Sequence, residues 1–237
     1  MPSLPDRHSL EALRAYDTPT ICNALEIVVP TRRAFGFTRR PLVAPFPELK
    51  PVVGFARTAL IRSREPHPRD RDSATKLRLG YYEHIAADPL PSLSVIQDID
   101  APDTGFGAFW GEVQTHVHAG LGCVGVITDG SVRDLDEVRA LGFQFCAAHV
   151  SVSHANVHMV DFGIPIKVGG VWIKPGDLLH ADQHGVVVLP EELAPKIPEA
   201  IAKVEARERE IISACQAPDF TAEKLKAVYQ RLSPGTY

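Results

Sequence analysis

The sequence has no long apolar run and no large excess of charge of either sign. No hydrophobic stretch approaches the length of a membrane span, and residues 1–8 lack the apolar core of a signal peptide. Lysine and arginine number 25 against 29 aspartates and glutamates, and the formal net charge of −4 gives no electrostatic footprint for nucleic acid. We therefore expect a cytoplasmic protein that binds neither membrane nor nucleic acid.

Cysteine is scarce, and the spacings of common metal and nucleotide sites are missing. The four cysteines are Cys22, Cys123, Cys146 and Cys215. They lie too far apart for the usual zinc motifs, and we expect reduced, mostly buried thiols. Gly105 and Gly107 lack the full dinucleotide fingerprint and its strand–turn–helix context, so we interpret their segment as a loop.

The composition that is present is that of an ordinary globular chain. With 237 residues, of which 45% are apolar and 23% charged, the chain is long enough for one domain with appended segments. We expect a helical lead-in over residues 1–30, a central domain over 31–190 and a C-terminal helical extension over 191–237.

Hydrophobic periodicity and turn residues predict a mixture of helices and strands. The first helix is predicted over residues 10–16, and a second follows Asp17 or Thr18 and runs through 25–28. Further helices are predicted over 77–87, 113–120, 135–141 and 191–215, and one more lies within 218–237. Strands are predicted over 51–62, 94–99, 124–127 and 143–148, with a meander of short strands between 164 and 189. Asp17 or Thr18 would cap the second helix. Segments 30–51 and 64–72 are predicted to lack regular structure because prolines interrupt them.

Arg133 and Asp134 follow the apolar run 124–127, which is typical of a buried strand. We expect that strand to end in a tight turn at Asp129 and Gly130, and ligand sites gather at such strand ends. An adjacent Arg and Asp at the start of the next helix can present a planar cation and a hard oxygen ligand to one small anion. The alternative is a solvated ion pair with a capping role.

Glu112 precedes Arg133 by twenty intervening residues, 113–132. A helix followed by a strand that folds back would return the chain beside its start. This path would bring a second carboxylate to the same metal. If Val113 and Gln114 open the helix, their backbone amides are free donors for an anion.

The central motif resembles that of the RraA-like family, which includes class II pyruvate aldolases acting on 4-hydroxy-4-methyl-2-oxoglutarate and 4-carboxy-4-hydroxy-2-oxoadipate. The likeness rests on Trp110-Gly111-Glu112, twenty residues, and then Arg133-Asp134 at the end of the motif that begins at Asp129. It continues through residues 168–171, 175–177 and 181–190. It is looser upstream, at 18–25 and 53–58, and covers roughly residues 10–210.

The resemblance implies an α/β fold, a layered β/β/α swivelling domain with N- and C-terminal helices, assembled as a homotrimer or homohexamer with sites between subunits. It also implies a divalent-metal-dependent lyase that cleaves a 4-hydroxy-2-oxoacid by a retro-aldol reaction to release pyruvate. Oxaloacetate decarboxylation passes through the same enolate, so this activity is implied as well. The partner is then a small 2-oxoacid substrate.

The implied roles fall on five residues. Asp134 is the direct ligand of Mg²⁺ or Mn²⁺, and Glu112 holds the metal through water. Arg133 pairs with the substrate carboxylate or the developing enolate oxygen. The amides of Val113 and Gln114 bind the pyruvoyl carboxylate. In the aldolases a glutamate of the neighbouring subunit also contributes, and the candidates in this chain are Glu205, Glu208 and Glu210.

The alternative hypothesis within the same family is a non-catalytic, ring-shaped protein. Such a protein would bind and regulate a protein partner, as the ribonuclease-regulating members do. The acid pair Glu112 and Asp134 favours the enzyme. A third label found on such sequences, menaquinone methyltransferase, has no support, because no glycine-rich strand–turn loop for a methyl donor is visible.

Other polar groups are interpreted as structural. His154 and His158 would share one face of a helix, as in zinc proteases, but the glutamate of that motif is absent. With His149 they are interpreted as loop or interface histidines. Asp177 and Asp182 lie in turn compositions in which aspartate bonds its own backbone. The basic loop residues are Arg32, Arg33, Arg39 and Arg40, which we expect in a solvated loop or at the rim of a neighbouring pocket.

Overall fold

A computed structural model describes residues 6–232, with seven α-helices and ten strands in that range. The helices are α1 (Arg7–Leu13), α2 (Thr18–Val28), α3 (Arg71–Ala86), α4 (Glu112–Gly120), α5 (Leu135–Leu141), α6 (Ile197–Cys215) and α7 (Ala222–Arg231). The strands are β1 (Val52–Arg62), β2 (Ser92–Asp98), β3 (Ala108–Trp110), β4 (Cys123–Val132), β5 (Gln144–Val150), β6 (His158–Phe162), β7 (Ile166–Val168), β8 (Val171–Ile173), β9 (Leu178–Asp182) and β10 (Gly185–Val188). Two short 3₁₀ helices cover Pro30–Ala34 and Glu191–Lys196. The first residues of the predicted lead-in, 1–5, and the tail 233–237 lie outside the described residues.

Eight strands form one mixed sheet: six follow the order β10-β9-β1-β2-β4-β3, while β5 also pairs with β4 and β6 also pairs with β1. Strand β2 runs parallel to β1 and β4, and β3 and β5 also run parallel to β4. The later strands β6, β9 and β10 pair antiparallel, and β7 and β8 form a separate hairpin. The predicted α/β class is therefore confirmed, and the meander between 164 and 189 consists of four short strands.

Three apolar clusters hold the layers together. The helices α1 and α2 share the first cluster with α6 and with β1, β9 and β10, so these three helices cover the same part of the sheet. Helices α3 and α5 pack on a second cluster around Trp110 and Phe145, and α4 adjoins it through His118, whose ring lies against Trp110. The hairpin β7–β8 covers the third. No helix within residues 6–232 is long and apolar enough to cross a membrane.

Of the two predicted caps of α2, Asp17 is the N-cap, and its carboxylate accepts a hydrogen bond from the Thr20 amide at 2.8 Å. Helix α1 begins at Arg7, three residues before the predicted helix, because Asp6 provides its cap. Helix α3 begins at Arg71, six residues before its predicted start, because Asp70 accepts hydrogen bonds from the next turn. The predicted loop 64–72 is therefore two residues too long.

The tight turn expected at Asp129 and Gly130 is wrong, because β4 continues through both residues to Val132. A shift in the pairing with β5 lies between Thr128 and Ser131. It is supported by hydrogen bonds from the Asp98 amide to the Asp129 carboxylate, 2.8 Å, and from the Gly130 amide to the Thr128 hydroxyl, 3.0 Å. An irregularity of this kind bends a strand without ending it.

Candidate active site

The short strand β3, which the sequence did not predict, positions the site. It pairs parallel to β4 with Trp110 opposite Val132, and the Arg133 amide donates to the Trp110 carbonyl at 2.9 Å. The chain therefore leaves both strands at the same edge of the sheet. As predicted, α4 and β4 bring the chain back to where α4 begins. Glu112, the first residue of α4, therefore lies beside Arg133 and Asp134.

The Asp134 carboxylate lies against the first turn of α4. Its Oδ2 accepts a hydrogen bond from the Glu112 amide at 2.9 Å and lies 3.7 Å from the Arg133 Nε. Its Oδ1 makes no hydrogen bond with any residue from 6 to 232. The predicted ion pair is thus present, but the capping role serves α4, because Asp134 makes no side-chain bond to its own helix α5.

The backbone of Asp134 is in the left-handed region, with φ +54° and ψ +47°. This conformation costs an L-residue with a Cβ about 1 kcal/mol or more. Strained residues of this kind cluster at functional sites, where the surrounding structure imposes them. The backbone hydrogen bond of Arg133 to Trp110 and the carboxylate bond of Asp134 to Glu112 hold the strained residue in place.

Gly111 leaves the space that this arrangement needs. A Cβ at position 111 would lie 2.4 Å from Asp134 Oδ2 and 3.2 Å from the Arg133 Nε. The glycine therefore allows the carboxylate to reach the Glu112 amide.

The amides of Val113 and Gln114 lie in the first turn of α4, beside the same site. The first backbone bond into this turn runs from the Thr115 amide to the Gly111 carbonyl, 3.0 Å, so the two preceding amides have no acceptor within the helix. Such amides, together with the helix dipole, form an anion site. Both residues line the cleft with Arg133 and Asp134.

The cleft has a volume of about 450 Å³ and three walls. The first is formed by β3, the start of α4, Arg133 and Asp134. The second is one face of α3, and the third is the segment from His154 to Met159. Glu112 contributes its backbone to the site, while its side chain is exposed and is not among the lining residues.

The donor set fits a hard cation that keeps most of its water. Asp134 is the only acidic residue lining the cleft, and no group of three or more His, Cys, Asp or Glu side chains suited to a metal occurs among the described residues. Magnesium is commonly held by one or two carboxylates with water and substrate oxygens completing its octahedron. The free Oδ1 of Asp134 suits that mode.

Two of the histidines that the sequence suggested to be loop or interface residues, His154 and His158, lie at the cleft. His154 lies in a turn and His158 begins β6, so the two do not share a helix. Both line the cleft, as does His67, whereas His149 does not. The His-x-x-x-His spacing was visible in the sequence, but nothing in it connected these side chains to Asp134.

The remaining candidates lie outside the cleft. Asp177 accepts from the Lys174 amide at 2.8 Å, and Asp182 accepts from the amides of Thr18 and His184 at 2.8 Å, which confirms their structural interpretation. None of the three α6 glutamates lines the cleft. Three of the four loop arginines bond within their own chain: Arg32 to Val188, Arg33 to Glu26 and Arg39 to Gly170.

The buried histidine His118 links α4 to α3 and to Trp110. His118 donates from Nδ1 to the Gln114 carbonyl at 2.7 Å, accepts at Nε2 from the Tyr81 hydroxyl at 3.1 Å, and lies 4.4 Å from the Trp110 ring. Burial lowers the pKa of His118 to about 4. The neutral ring therefore holds the helix turn that carries Gln114.

Because His118 is buried in its neutral form, we expect the stability of the protein to depend on pH. Because the folded pKa of His118 is lower than the unfolded value of about 6.5, its contribution is complete above that value and is lost as the pH falls toward about 4. Relative to His118→Gln, the wild type should lose roughly 3 kcal/mol of unfolding free energy across this window. Urea titrations at several pH values measure the difference between the two proteins, in which the titration of other groups, such as the half-buried Asp129, cancels.

His116→Gln is the control, because His116 is an exposed residue of the same helix. Its curve should run parallel to that of the wild type. If the curve of His118→Gln does so as well, the buried neutral histidine is not a determinant of stability.

Comparison with known protein families gives one match over most of the chain. The Aldolase/RraA model, described as RraA-like, matches residues 18–188. A protein of Halalkalibacterium halodurans named "Putative 4-hydroxy-4-methyl-2-oxoglutarate aldolase" is 31% identical over 188 residues, which cover 77% of this chain and 82% of that protein.

Two solved structures resemble the whole fold. An uncharacterized protein from Pseudomonas syringae pv. tomato has a TM-score of 0.70 at 24% identity, with 96% of both chains covered. Streptomyces coelicolor RraAS2, described as an unusual member of the RNase ES inhibitor RraA protein family, has a TM-score of 0.64 at 24% identity, with 89% of this chain and 98% of that chain covered. At these identities the likeness concerns the fold alone.

Proposed function

This chain belongs to the RraA-like family, and on that premise we propose that it is a divalent-metal-dependent carbon–carbon lyase. Its reaction would be retro-aldol cleavage of a 4-hydroxy-2-oxoacid, with release of pyruvate. The relative with an aldolase name supports a lyase in general. The observation that carries the specific proposal is the convergence of Arg133, Asp134 and two free amides of α4 on one cleft.

The chain's own groups would bind the pyruvoyl end. The amides of Val113 and Gln114 would donate to the substrate carboxylate at the positive end of α4. The guanidinium of Arg133 would pair with the 2-oxo oxygen, whose negative charge grows as the carbon–carbon bond breaks. Because Arg133 is half-exposed at the cleft wall, its charge is available to a ligand.

Asp134 would hold Mg²⁺ or Mn²⁺ through its free Oδ1, with Glu112 reaching the ion through water. A bound ion would supply Lewis acidity, which is worth several kcal/mol toward stabilising an enolate. The hydrogen bond from the Glu112 amide and the nearby Arg133 fix the orientation of the carboxylate. The same enolate arises when oxaloacetate loses carbon dioxide, so we propose that activity as well.

The test is release of pyruvate, coupled to NADH oxidation by lactate dehydrogenase. The substrates are 4-hydroxy-4-methyl-2-oxoglutarate and oxaloacetate, each with Mg²⁺ and with EDTA. The proposal expects turnover that EDTA removes and Mg²⁺ restores. Turnover that EDTA does not affect would contradict the metal requirement, and no pyruvate from any 4-hydroxy-2-oxoacid would favour the non-catalytic ring protein.

Gly111→Ala should damage the site without damaging the fold. The added methyl group requires the Asp134 carboxylate to leave the Glu112 amide, because 2.4 Å is closer than Cβ atoms approach other heavy atoms. We expect pyruvate release to fall by at least tenfold. The lost hydrogen bond should lower stability by about 1 kcal/mol.

Gly120→Ala is the matched control, because a Cβ at this end of the same helix meets nothing within 4 Å. It should retain the wild-type rate. A Gly111→Ala variant as active as Gly120→Ala would show that the carboxylate position is unimportant.

The trimeric or hexameric assembly and the cytoplasmic location remain predictions. Exposed apolar side chains such as Val150 and Val152, which are 61% and 99% exposed, are candidates for burial in a subunit interface.

A further inference from the structure

We propose that His158 is the general base of the cleavage reaction and that its Nε2 takes the proton from the 4-hydroxyl group of the substrate. This inference rests on the proposed function and deepens it, because it assigns the proton transfer that retro-aldol cleavage requires. Neither Arg133 nor Asp134 can supply that transfer.

Cleavage of a 4-hydroxy-2-oxoacid needs a proton acceptor at the 4-hydroxyl group. Arg133 stays protonated and cannot take that proton, and Asp134 is assigned to the cation. Among the other described residues that line the cleft, the side chains able to accept a proton near neutral pH are His67, His154 and His158. Imidazole is also the side chain that enzymes use most often as a general base.

The hydrogen bonds of His67 exclude it from this role. Its Nδ1 accepts from the Arg69 backbone amide at 2.9 Å, so the proton of the neutral ring lies on Nε2. Burial lowers the pKa of His67, and the nearby His158 and Arg69 lower it further. At neutral pH both ring nitrogens are therefore occupied, Nδ1 by the amide and Nε2 by its own proton.

His158 has the opposite tautomer. Its Nδ1 lies 2.7 Å from the Asn156 carbonyl oxygen, which can only accept, so Nδ1 carries the proton and the Nε2 of the neutral ring holds a lone pair. This Nε2 makes no hydrogen bond with any residue from 6 to 232. It is also absent from the unpartnered polar atoms that are sealed from solvent, so solvent reaches it. The lone pair is therefore open to a ligand.

His158 is held more firmly than His154, which has the same tautomer. His154 donates from Nδ1 to the Ala155 carbonyl at 2.7 Å, but its side chain is exposed in a turn. His158 is only 8% exposed, pairs with Arg62 of β1 at the start of β6, and has its ring centroid 4.6 Å from that of His67. A base fixed in this way keeps its orientation when a substrate binds, as efficient proton transfer requires.

The wall that carries His158 is attached to the strand that leads into the pyruvoyl site. The Ala108 amide at the start of β3 donates to the Ser153 carbonyl at 2.9 Å, so the segment before β6 runs beside β3. Met159, which follows His158, packs in the same cluster as Trp110, the last residue of β3. Strand β3 therefore connects the histidine wall with the first turn of α4.

The step balances in atoms, electrons and protons. Nε2 of His158 takes the hydroxyl proton, the electron pair left on the oxygen forms the carbonyl group at C4, and the bond between C3 and C4 breaks. The electrons of that bond form the enolate of pyruvate, whose oxygen lies toward Arg133. The imidazolium then releases its proton to solvent, and C3 of the enolate takes a proton from water. The bond from Nδ1 to the Asn156 carbonyl is kept in both charge states of the ring.

The first test uses oxaloacetate, because its decarboxylation gives the same enolate without removal of a hydroxyl proton. The values of kcat/KM are measured for 4-hydroxy-4-methyl-2-oxoglutarate and for oxaloacetate in the wild type and in His158→Asn. The asparagine amide can still donate to the Asn156 carbonyl, but the Nε2 acceptor is gone. The ratio of the first value to the second should fall by at least about 10²-fold.

His154→Asn is the matched control, because His154 lines the same cleft and has the same tautomer. Its ratio should equal that of the wild type. An unchanged ratio in His158→Asn, an equal loss of both activities in that variant, or an equal fall of the ratio in His154→Asn would each overturn the assignment while the lyase stands.

The second test uses the wild type alone and does not depend on turnover. Two-bond ¹H–¹⁵N spectra of the histidine rings distinguish protonated from unprotonated nitrogens. The neutral ring of His158 should carry its proton on Nδ1, and that of His67 should carry it on Nε2. A proton on Nε2 of His158 would overturn the base even if the lyase is active. The expected tautomer in a protein that releases no pyruvate from any 4-hydroxy-2-oxoacid would refute the lyase, and the base with it.

Discussion

Asp134→Asn is expected to abolish metal-dependent pyruvate release and to leave the fold intact. Asparagine keeps the shape of the side chain and an oxygen acceptor for the Glu112 amide, which lies 2.9 Å from the carboxylate in the wild type. It removes the charge that would hold the cation. If the ion stabilises the enolate by several kcal/mol, kcat/KM should fall by at least about 10³-fold.

The stability of this variant should change little, for two opposing reasons. The left-handed backbone of residue 134 suits asparagine at least as well as aspartate. The loss of a negative charge at the start of α4 costs about 0.3–1 kcal/mol. Thermal unfolding should therefore stay within a few degrees of the wild type. A variant that unfolds much earlier would make the activity loss uninformative, and one that retains a tenth of the activity with Mg²⁺ would refute Asp134 as the ligand.

Arg133→Gln is the second change with a large expected effect. The backbone amide of residue 133 still bonds to Trp110, so the end of the strand should persist. Loss of one donor aimed at a developing oxyanion costs about 10²–10³-fold in kcat. Arg133→Lys should recover only part of this, because lysine keeps the charge but lacks the planar, forked donors.

The matched control is Arg139→Lys on α5. Arg139 is exposed and bonds to Glu48 and Asp136 at 3.1 Å each, away from the cleft. Its variant should keep the wild-type kcat. Arg133→Gln with kcat within twofold of this control would show that the guanidinium does not contact the reacting atoms.

Local patterns in the sequence predicted the helices and the strand that surround the candidate site. The apolar run before Arg133, the helix over 135–141 and the helix that opens near Val113 each depend on nearby residues, and all three are present. The approach of Glu112 to Asp134 was inferred from the length of the intervening helix and strand. It occurs through the backbone of Glu112, whose side chain is not among the groups that line the cleft.

The second wall of the cleft was not predictable in this way. Helix α3 reaches the site because it lies against β6, with the Tyr81 ring 6.3 Å from Phe162, and β6 pairs with the distant strand β1. Arg78 and His158 are separated by eighty positions, and no local pattern links them. The sequence also did not predict the early start of α3, because the prolines of segment 64–72 indicated a loop, although Asp70 caps the helix there.

Crystals grown with Mn²⁺ and pyruvate test the central claim most directly, since the anomalous signal of manganese locates the ion without reference to the protein. The account predicts one Mn²⁺ peak per chain, about 2.1 Å from Asp134 Oδ1. The pyruvate carboxylate should lie on the amides of Val113 and Gln114, with its oxo oxygen toward Arg133. A manganese peak elsewhere, or pyruvate bound away from Arg133, would contradict it.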